Sequence, residues 1–489
     1  MKLGWGFLLT SGSKLLQEVS IFALSVLLAR YLSKHDYGTY LHVQLITNVT
    51  MWAFLLGIPH SVYYFLPRLK LQRTFVLATC AMVTLIGFVV AAGIVVFIEP
   101  ISQLLSNPDL SQFVLLIALI AALSIPGTLF EPLLLASEQV RIYVICDTLF
   151  NLSFFAAIAI PVLMDQPLFR LFEIVACFYA VKLGVMILII GRWLWRLVPR
   201  EFGETFQLKK QLQYALPIGL SQNVFEVAKY ADKIIVSNFF NPSTYAAYAR
   251  GAINIPLVNT LSSTLDNLMM PSLVRFHEAG DIKGLMRTWH SSIKLLACFI
   301  YPCLAFLLFS AHLLIPALYS DKYLDSVIFF QIYILYLLYN ITTYNVIIRV
   351  IGKTSVMAWV AILGEGFNVL LTITLIKTLG IVGAPLGIFI AGALMVIGYL
   401  LAIAHLLKIR FWDIFPWQTL GKILILAVLP LLPLWWLQDL DYGYWPRLGW
   451  MALSYSVGYW ILFKCFSPLN HEERHLVQGL LPQRLKWFL

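Results

Sequence analysis

The sequence predicts an all-α, polytopic membrane protein of about 14 transmembrane helices, built as two pseudo-symmetric six-helix lobes plus two C-terminal helices. Three observations carry that prediction. Of 489 residues, 60% are hydrophobic and only 12% charged, against about 25% charged in soluble domains. Apolar runs of about 20 residues, the length a bilayer demands, follow one another along the chain. The runs also repeat: at one constant offset Ser13, Glu18, Val19, Ala23, Tyr37 and Tyr40 return as Ser221, Glu226, Val227, Ala231, Tyr245 and Tyr248. A second echo sets Phe150-Asn151 against Phe367-Asn368. The halves therefore read as two copies of one ancestral unit. With six spans in each, both copies run in the same direction and are expected to be related by an axis along the membrane normal.

Taken in order, the first segment, MKLGWGFLLTSGSKLLQEVS, lacks the unbroken apolar core and small-residue cleavage site of a signal peptide. It is expected to be the retained start of helix 1. Spans near 11–32, 40–66, 74–98, 111–135, 140–164 and 168–191 make an N-lobe, 1–200. The linker Arg192–Gln213 sets Trp193, Trp195, Leu197 and Phe206 among basic residues, which suits a segment lying on the inner leaflet or an ordinary solvated linker. Spans near 214–240, 246–272, 293–319, 326–350, 355–378 and 381–406 make a C-lobe, 201–410. Two more, near 418–437 and 448–466, precede a short polar tail and complete a region 411–489.

An even number of spans puts both termini on one side. If that side is the cytoplasm, only Arg30, Lys34, Arg170, Arg250, Lys322, Lys377 and Arg447 fall outside, and Lys14, Lys182, Lys229 and Lys233 lie within spans. The remainder of the 34 lysines and arginines fall inside, the asymmetry that fixes orientation. The net charge of +10 thus reflects topology, and no nucleic-acid partner is expected. The six cysteines show no CxxC spacing and read as small core residues rather than a disulfide framework. His471–His475 matches HExxH, but no third ligand lies nearby, and Asn470 with Glu473 reads as a helix cap. No metal and no cofactor are expected.

One stretch, Pro217–Phe240, carries charges where a lipid-facing helix would carry leucine. On a continuous helix Asn223, Glu226, Lys229, Tyr230, Lys233 and Ser237 share one stripe, with Asp232 at its edge. Each charge at mid-bilayer costs roughly 2.5–3.5 kcal/mol, so the stripe must face partners or a watery cavity. Mutual pairing of Glu226, Lys229, Asp232 and Lys233 as helix glue is one arrangement; a binding cavity is the other.

The run LLARYLSKHDYGTY, Leu27–Tyr40, followed by Gly57, Ile58 and YYFLPR, Tyr63–Arg68, resembles the polysaccharide flippases (Wzx type, serving O-antigen and exopolysaccharide) of the multidrug/oligosaccharidyl-lipid/polysaccharide exporter superfamily. The resemblance implies a cavity lined by helices 1, 2, 7 and 8, in which an undecaprenyl-pyrophosphate-linked oligosaccharide is turned over by alternating access. It also implies a bacterial inner-membrane location with both termini cytoplasmic, contact with membrane lipids, and a polymerase or chain-length regulator as partner. The span count is similar to lipid II flippases of that superfamily. Those line their cavity with arginines, whereas the mid-membrane cations here are lysines, which speaks against a peptidoglycan precursor.

The residues suit that task on their own chemistry. Phosphate needs cations, which Lys229 and Lys233 supply, and sugar hydroxyls need hydrogen-bonding groups, for which Asn223, Tyr230, Asn48, His60, Gln17 and Asn267 are candidates. Lys14 is either a further cavity lysine or the partner of Glu18. Glu18 and Glu226, superposed by the repeat, are candidate ion-coupling carboxylates, with Asp232, with Asp266 as a counter-charge for a lysine, and with Glu365. Glu365, between Gly364 and Gly366, sits either in a broken helix or in a glycine-lined packing contact. Asp147, Glu131, Glu173 and Lys182 read as pairs within the first lobe. Two other functions stand beside flipping: a cation-coupled multidrug exporter of the same superfamily, and an integral membrane polymerase or acyltransferase. The absence of a sizeable outside loop argues against an enzyme.

Overall fold

The structure, a computed structural model, describes residues 3–69, 72–195, 206–253, 255–342, 344–437 and 443–466. It is helical throughout, with no strand among the described residues. Two compact units, 1–246 and 247–489, account for the chain.

In the first unit, α1 (Leu3–Tyr31) is followed by α2 (Lys34–Leu55), α3 (Ile58–Phe65) and α4 (Gln72–Leu104). Then come α5 (Val114–Gly127), α6 (Phe130–Ala136), α7 (Val140–Leu163), α8 (Leu168–Trp195), α9 (Leu208–Ala228) and α10 (Ala231–Phe239). Local signals set several of these ends. Ser33 caps α2, its Oγ accepting the Asp36 N–H at 3.0 Å and donating to the Asp36 carboxylate at 2.7 Å, which satisfies an orphan donor of the first turn. At the other end Leu56 (φ 46°) and Gly57 (φ 72°) enter the left-handed region, and α2 and α3 meet at a 47° bend. Gly57 is needed there twice over, because a Cβ would also lie 2.6 Å from the Ala215 carbonyl of α9. The facing Gly219 is as tight, its Cβ position 2.0 Å from the Leu56 carbonyl carbon.

Polar side chains fasten α9 and α10 to the same unit. Gln211 Nε2 donates to Ser61 Oγ and Thr79 Oγ1, both at 3.0 Å. Tyr64 stacks on Tyr214 at 4.4 Å and the Arg68 guanidinium lies 3.7 Å over the Tyr64 ring. Near the start of α2, His42 Nδ1 meets the Asn107 amide nitrogen at 3.0 Å and Nε2 meets Ser237 Oγ of α10 at 3.0 Å. The amide can only donate, so His42 accepts at Nδ1 and donates from Nε2.

After α11 (Pro242–Gly251), which straddles the boundary, the second unit holds α12 (Pro256–Glu278), α13 (Ile282–Tyr319), α14 (Ser326–Ile334) and α15 (Tyr344–Ile351). It continues with α16 (Thr354–Leu379), α17 (Gly383–Leu407), α18 (Trp417–Val428) and α19 (Tyr444–Cys465). Asp281 caps the long α13 by accepting the Gly284 N–H at 2.8 Å. The last two helices are tied to α13 by tyrosine: Tyr455 donates to the carbonyls of Pro302 and Ala427 at 3.0 and 2.8 Å, and Tyr459 to that of Cys298 at 2.9 Å.

Large apolar side chains that miss the core point outward along the long helices, Leu115 and Leu188 each 73% exposed. Water would penalise such a surface and lipid does not; the chain is a multi-pass membrane protein. Among the described residues, eight stretches of helix are long and apolar enough to cross a membrane, one of them Ser355–Leu407 running through α16 and α17, and a ninth is added if α2 and α3 form one bent span. The expected fourteen are not all uninterrupted. The predicted span 214–240 is interrupted at 229–230, 246–272 at 252–253 and 326–350 at 339–342, and α9, α12 and α19 are long enough but too polar.

The Gly57–Gly219 approach predicts that Gly219→Val overpacks the α3–α9 contact and costs about 1–3 kcal/mol. Gly93, whose Cβ position has nothing within 4 Å, is the control. Thermal unfolding of the detergent-purified protein should show a lowered midpoint for Gly219→Val and an unchanged one for Gly93→Val.

Candidate functional site

The charged stretch is not one helix. The chain turns at Lys229–Tyr230, α9 ending at Ala228 and α10 restarting at Ala231, so the single polar stripe expected of a continuous helix is divided across the junction. Its four charges form two opposite pairs: Lys229 Nζ to Glu226 Oε1 at 2.6 Å and Lys233 Nζ to Asp232 Oδ1 at 3.4 Å. Lys233 Nζ also reaches the Lys229 carbonyl at 3.4 Å, serving a backbone acceptor that the turn leaves without its helical donor, and it stands 6.0 Å from the Tyr230 ring centroid. The pairs differ in setting. Lys229 is 65% exposed and Asp232 only 10%, so the second pair is the one held away from solvent. The side chains of Asn223 and Asn267 lie outside the described residues, as does His471–His475.

On α1 the Lys14–Glu18 pairing, one of the two readings open for Lys14, is not made. Lys14 Nζ pairs with Glu131 of α6 at 3.1 Å, and Glu18 is exposed. The physical reason lies in the order, since a lysine four residues before a glutamate is the less favourable arrangement on a helix. Glu173 likewise pairs with Arg170, at 2.6 Å. Asp147 accepts from Ser13 Oγ and from Asn151 Nδ2 at 3.2 Å. His60 is exposed on α3 and joins none of the other candidates.

Two predicted residues do come together. Gln17 of α1 and Asn48 of α2 line a cavity of about 370 Å³ enclosed by α1, α2, α5, α7 and α8. With them stand Gln44, Asn151 and Lys182, and the rings of Tyr40, Phe150, Phe154, Phe172, Phe178 and Tyr179. Gln44 Nε2 donates to Tyr40 Oη at 2.8 Å, Tyr40 stacks on Phe172 at 6.2 Å, and Lys182 Nζ lies 5.3 Å from the Phe150 centroid. Sequence reasoning missed these although the signal was present: Tyr40, Gln44 and Asn48 are four apart, as are Phe150 and Phe154, and such spacing lines one helix face.

The second unit holds its own cavity, about 260 Å³, in which Glu365 of α16 faces Asn340, Asn368 and the rings of Tyr333, Tyr336, Tyr339 and Tyr344. Asn368 Nδ2 donates to Glu365 Oε2 at 3.3 Å, and Asn368 Oδ1 accepts from Thr372 Oγ1 at 3.2 Å. The helix is not broken at the Gly364–Gly366 pair: α16 runs through it, and Gly364 makes room for Met395, whose side chain lies 2.9 Å from its Cβ position. Asp266 of α12 is half-buried, and among the described residues no lysine forms an ion pair with it, so the counter-charge role expected for it is not seen. Asn151 and Asn368, the echo seen in the sequence, occupy matching roles, each lining its unit's cavity and each donating to a carboxylate one turn earlier. Among the described residues no group of three or more His, Cys, Asp or Glu is placed to hold a metal ion.

A family model described as polysaccharide biosynthesis protein matches residues 27–328. Among solved structures, a lipid II flippase, MurJ, in an inward closed conformation is 16% identical, with a TM-score of 0.65 over 94% of this chain and 98% of that one. An inward-facing multidrug resistance transporter of the MATE family, MOP superfamily, is 12% identical, with a TM-score of 0.61 over 80% of this chain and 96% of that one. No curated protein matches the sequence. At these identities the two structures establish a shared fold.

The α1–α6 ion pair is open to a direct check. A double-mutant cycle of Lys14→Gln with Glu131→Gln should return a coupling of about 0.2–1 kcal/mol, as for other exposed pairs, and a cycle of Lys14→Gln with Glu18→Gln should return none.

Proposed function

Because this chain belongs to the polysaccharide biosynthesis protein family, whose model matches residues 27–328, we propose that it flips undecaprenyl-pyrophosphate-linked oligosaccharide repeat units across a bacterial inner membrane by alternating access. The observation that carries this reading is that family match together with a flippase fold that extends over 94% of the chain. The fold it shares with a drug transporter covers 80%. In this reading both termini are cytoplasmic, and the cargo moves toward the periplasmic leaflet.

The chemistry asked of the chain is to replace the hydration of a pyrophosphate and of sugar hydroxyls while both cross hydrocarbon. Lys229 and Lys233 are the proposed phosphate ligands. In the present arrangement each is held by a carboxylate, Glu226 and Asp232, so cargo and carboxylate compete for the same ammonium groups. That competition is a way to couple loading to movement: a carboxylate released by its lysine is free to take a proton or a cation. Gln17, Asn48 and Tyr230 are the proposed hydroxyl partners.

A second reading, cation-coupled export of drugs, is favoured by one observation, the Glu365 cavity. A carboxylate among tyrosine hydroxyls and two asparagines offers a hard cation only oxygen ligands. The same cavity serves the flippase reading as its energy-coupling site, so it does not by itself choose between cargoes.

Replacing Lys229 and Lys233 with Gln should leave the protein in the membrane and abolish transfer of a fluorescent lipid-linked oligosaccharide in proteoliposomes. Because that change strands two carboxylates, Glu226→Gln and Asp232→Asn are then added. If the lysines hold pyrophosphate, the quadruple variant stays inactive; recovery would reduce them to structural partners. In the same assay, dependence on a proton or sodium gradient should be lost in Glu365→Gln and retained in Glu18→Gln if Glu365 is the coupling group.

A further inference from the structure

The two cavities have opposite chemistry. Among the described residues, the only charged side chain lining the cavity of the second unit is Glu365; in the first it is Lys182. Lys182 has no carboxylate within ion-pairing distance among the described residues, and its ammonium is instead placed 5.3 Å from the Phe150 ring centroid. Asp147, the acidic group acting on it, does not line the cavity and is taken up by Ser13 and Asn151. A partly buried ammonium facing an empty space lined by aromatic rings is costly unless something anionic joins it. The amides of Gln17, Gln44, Asn48 and Asn151 line the same space, Gln44 steadied by Tyr40 and Asn151 by Asp147, and offer donors and acceptors in a volume typical of a small-molecule site, about 300–1,000 Å³.

We propose that this cavity is a subsite for one acidic sugar, a pyranose bearing a carboxylate, which Lys182 holds by its charge and the aromatic rings hold by its ring face. The assignment deepens the flippase reading and rests on it, since a sugar reaches this space only if the chain handles a glycan. The parts have separable roles. The C–H face of a pyranose packs on an aromatic ring face, which either ring of the tilted Phe154–Phe178 pair, centroids 5.2 Å apart and planes at 53°, can offer, and the near-parallel Tyr40–Phe172 pair offers another. The four amides bond equatorial hydroxyls. Lys182 at the end of the α8 face then distinguishes a uronate from its neutral analogue, because only the uronate neutralises the ammonium. A bare carboxylate such as acetate would meet the lysine but forgo both walls, and a neutral sugar would use the walls but leave the charge bare.

Saturation-transfer NMR on the detergent-purified full-length protein tests this without any flipping step, using methyl β-D-glucuronide, methyl β-D-glucoside and acetate as probes. The wild type should bind the glucuronide at least tenfold more tightly than the glucoside, and acetate at equal concentration should fail to displace it. Lys182→Gln should abolish the preference for the glucuronide, and Lys182→Arg should retain it. Equal binding of glucuronide and glucoside by the wild type, displacement by acetate, or an unchanged preference in Lys182→Gln would each overturn the subsite. The first two comparisons need no variant to fold. A chain that transfers neutral lipid-linked glycan in proteoliposomes yet shows no glucuronide preference would sink the subsite alone and leave the flippase reading standing.

Discussion

Hydrocarbon offers no hydrogen bonds, and this constraint governs where polar groups of the chain can be. Every backbone group that leaves a helix inside the bilayer and every charge carried there must find its partner within the protein. The turn at Lys229–Tyr230 meets that demand with two ion pairs and a lysine on a freed carbonyl. The same logic accounts for the Gln211 amide between Ser61 and Thr79, for the neutral His42 shared by Asn107 and Ser237, and for Tyr455 spanning the carbonyls of Pro302 and Ala427. Gln211, His42 and Tyr455 are thus each answered by polar groups of other helices in their own unit.

Where polar groups are gathered but not saturated, the result is a cavity. Both units have one, both use an asparagine to steady a carboxylate on its own helix, and both are walled by aromatic rings. They differ in the sign of the charge that faces the open space. The ammonium stands on α8 of the first unit and the carboxylate on α16 of the second, so each sign of charge is kept to its own unit rather than built into one crowded pocket.

How much of this was legible in the sequence follows from what each signal sums over. Membrane class and helix order were plain because hydrophobicity accumulates over about 20 residues. The family resemblance was carried by Leu27–Tyr40 and YYFLPR, and the structure gives part of the reason, since Tyr64, Phe65 and Arg68 hold α3 to α9. The bend at Leu56–Gly57 was marked by its glycine. The break at Lys229–Tyr230 was not, because neither residue is a helix breaker and periodicity reports a face, not continuity. Partners far apart in sequence, such as Lys14 with Glu131, are matters of packing and leave no local trace. Lys182 was seen as an intramembrane charge but read as part of an ion pair, and the phenylalanines around it look in sequence like any core.

The attachment of α9 to α3 and α4 also bears on biosynthesis. The chain is made from its N-terminus, so α1 to α8 leave the ribosome and enter the bilayer before Gln211 exists. Until it arrives, Ser61 and Thr79 lack the amide that joins them, and the groove that Gly57 keeps open for Gly219 has nothing in it but lipid. The first unit is therefore completed by a helix encoded some two hundred residues into the chain, and its final closure must wait for α9 to be synthesised. Until then α3 and α4 stand without the helix they pack against, and that interval is when the nascent chain is most exposed to mispairing.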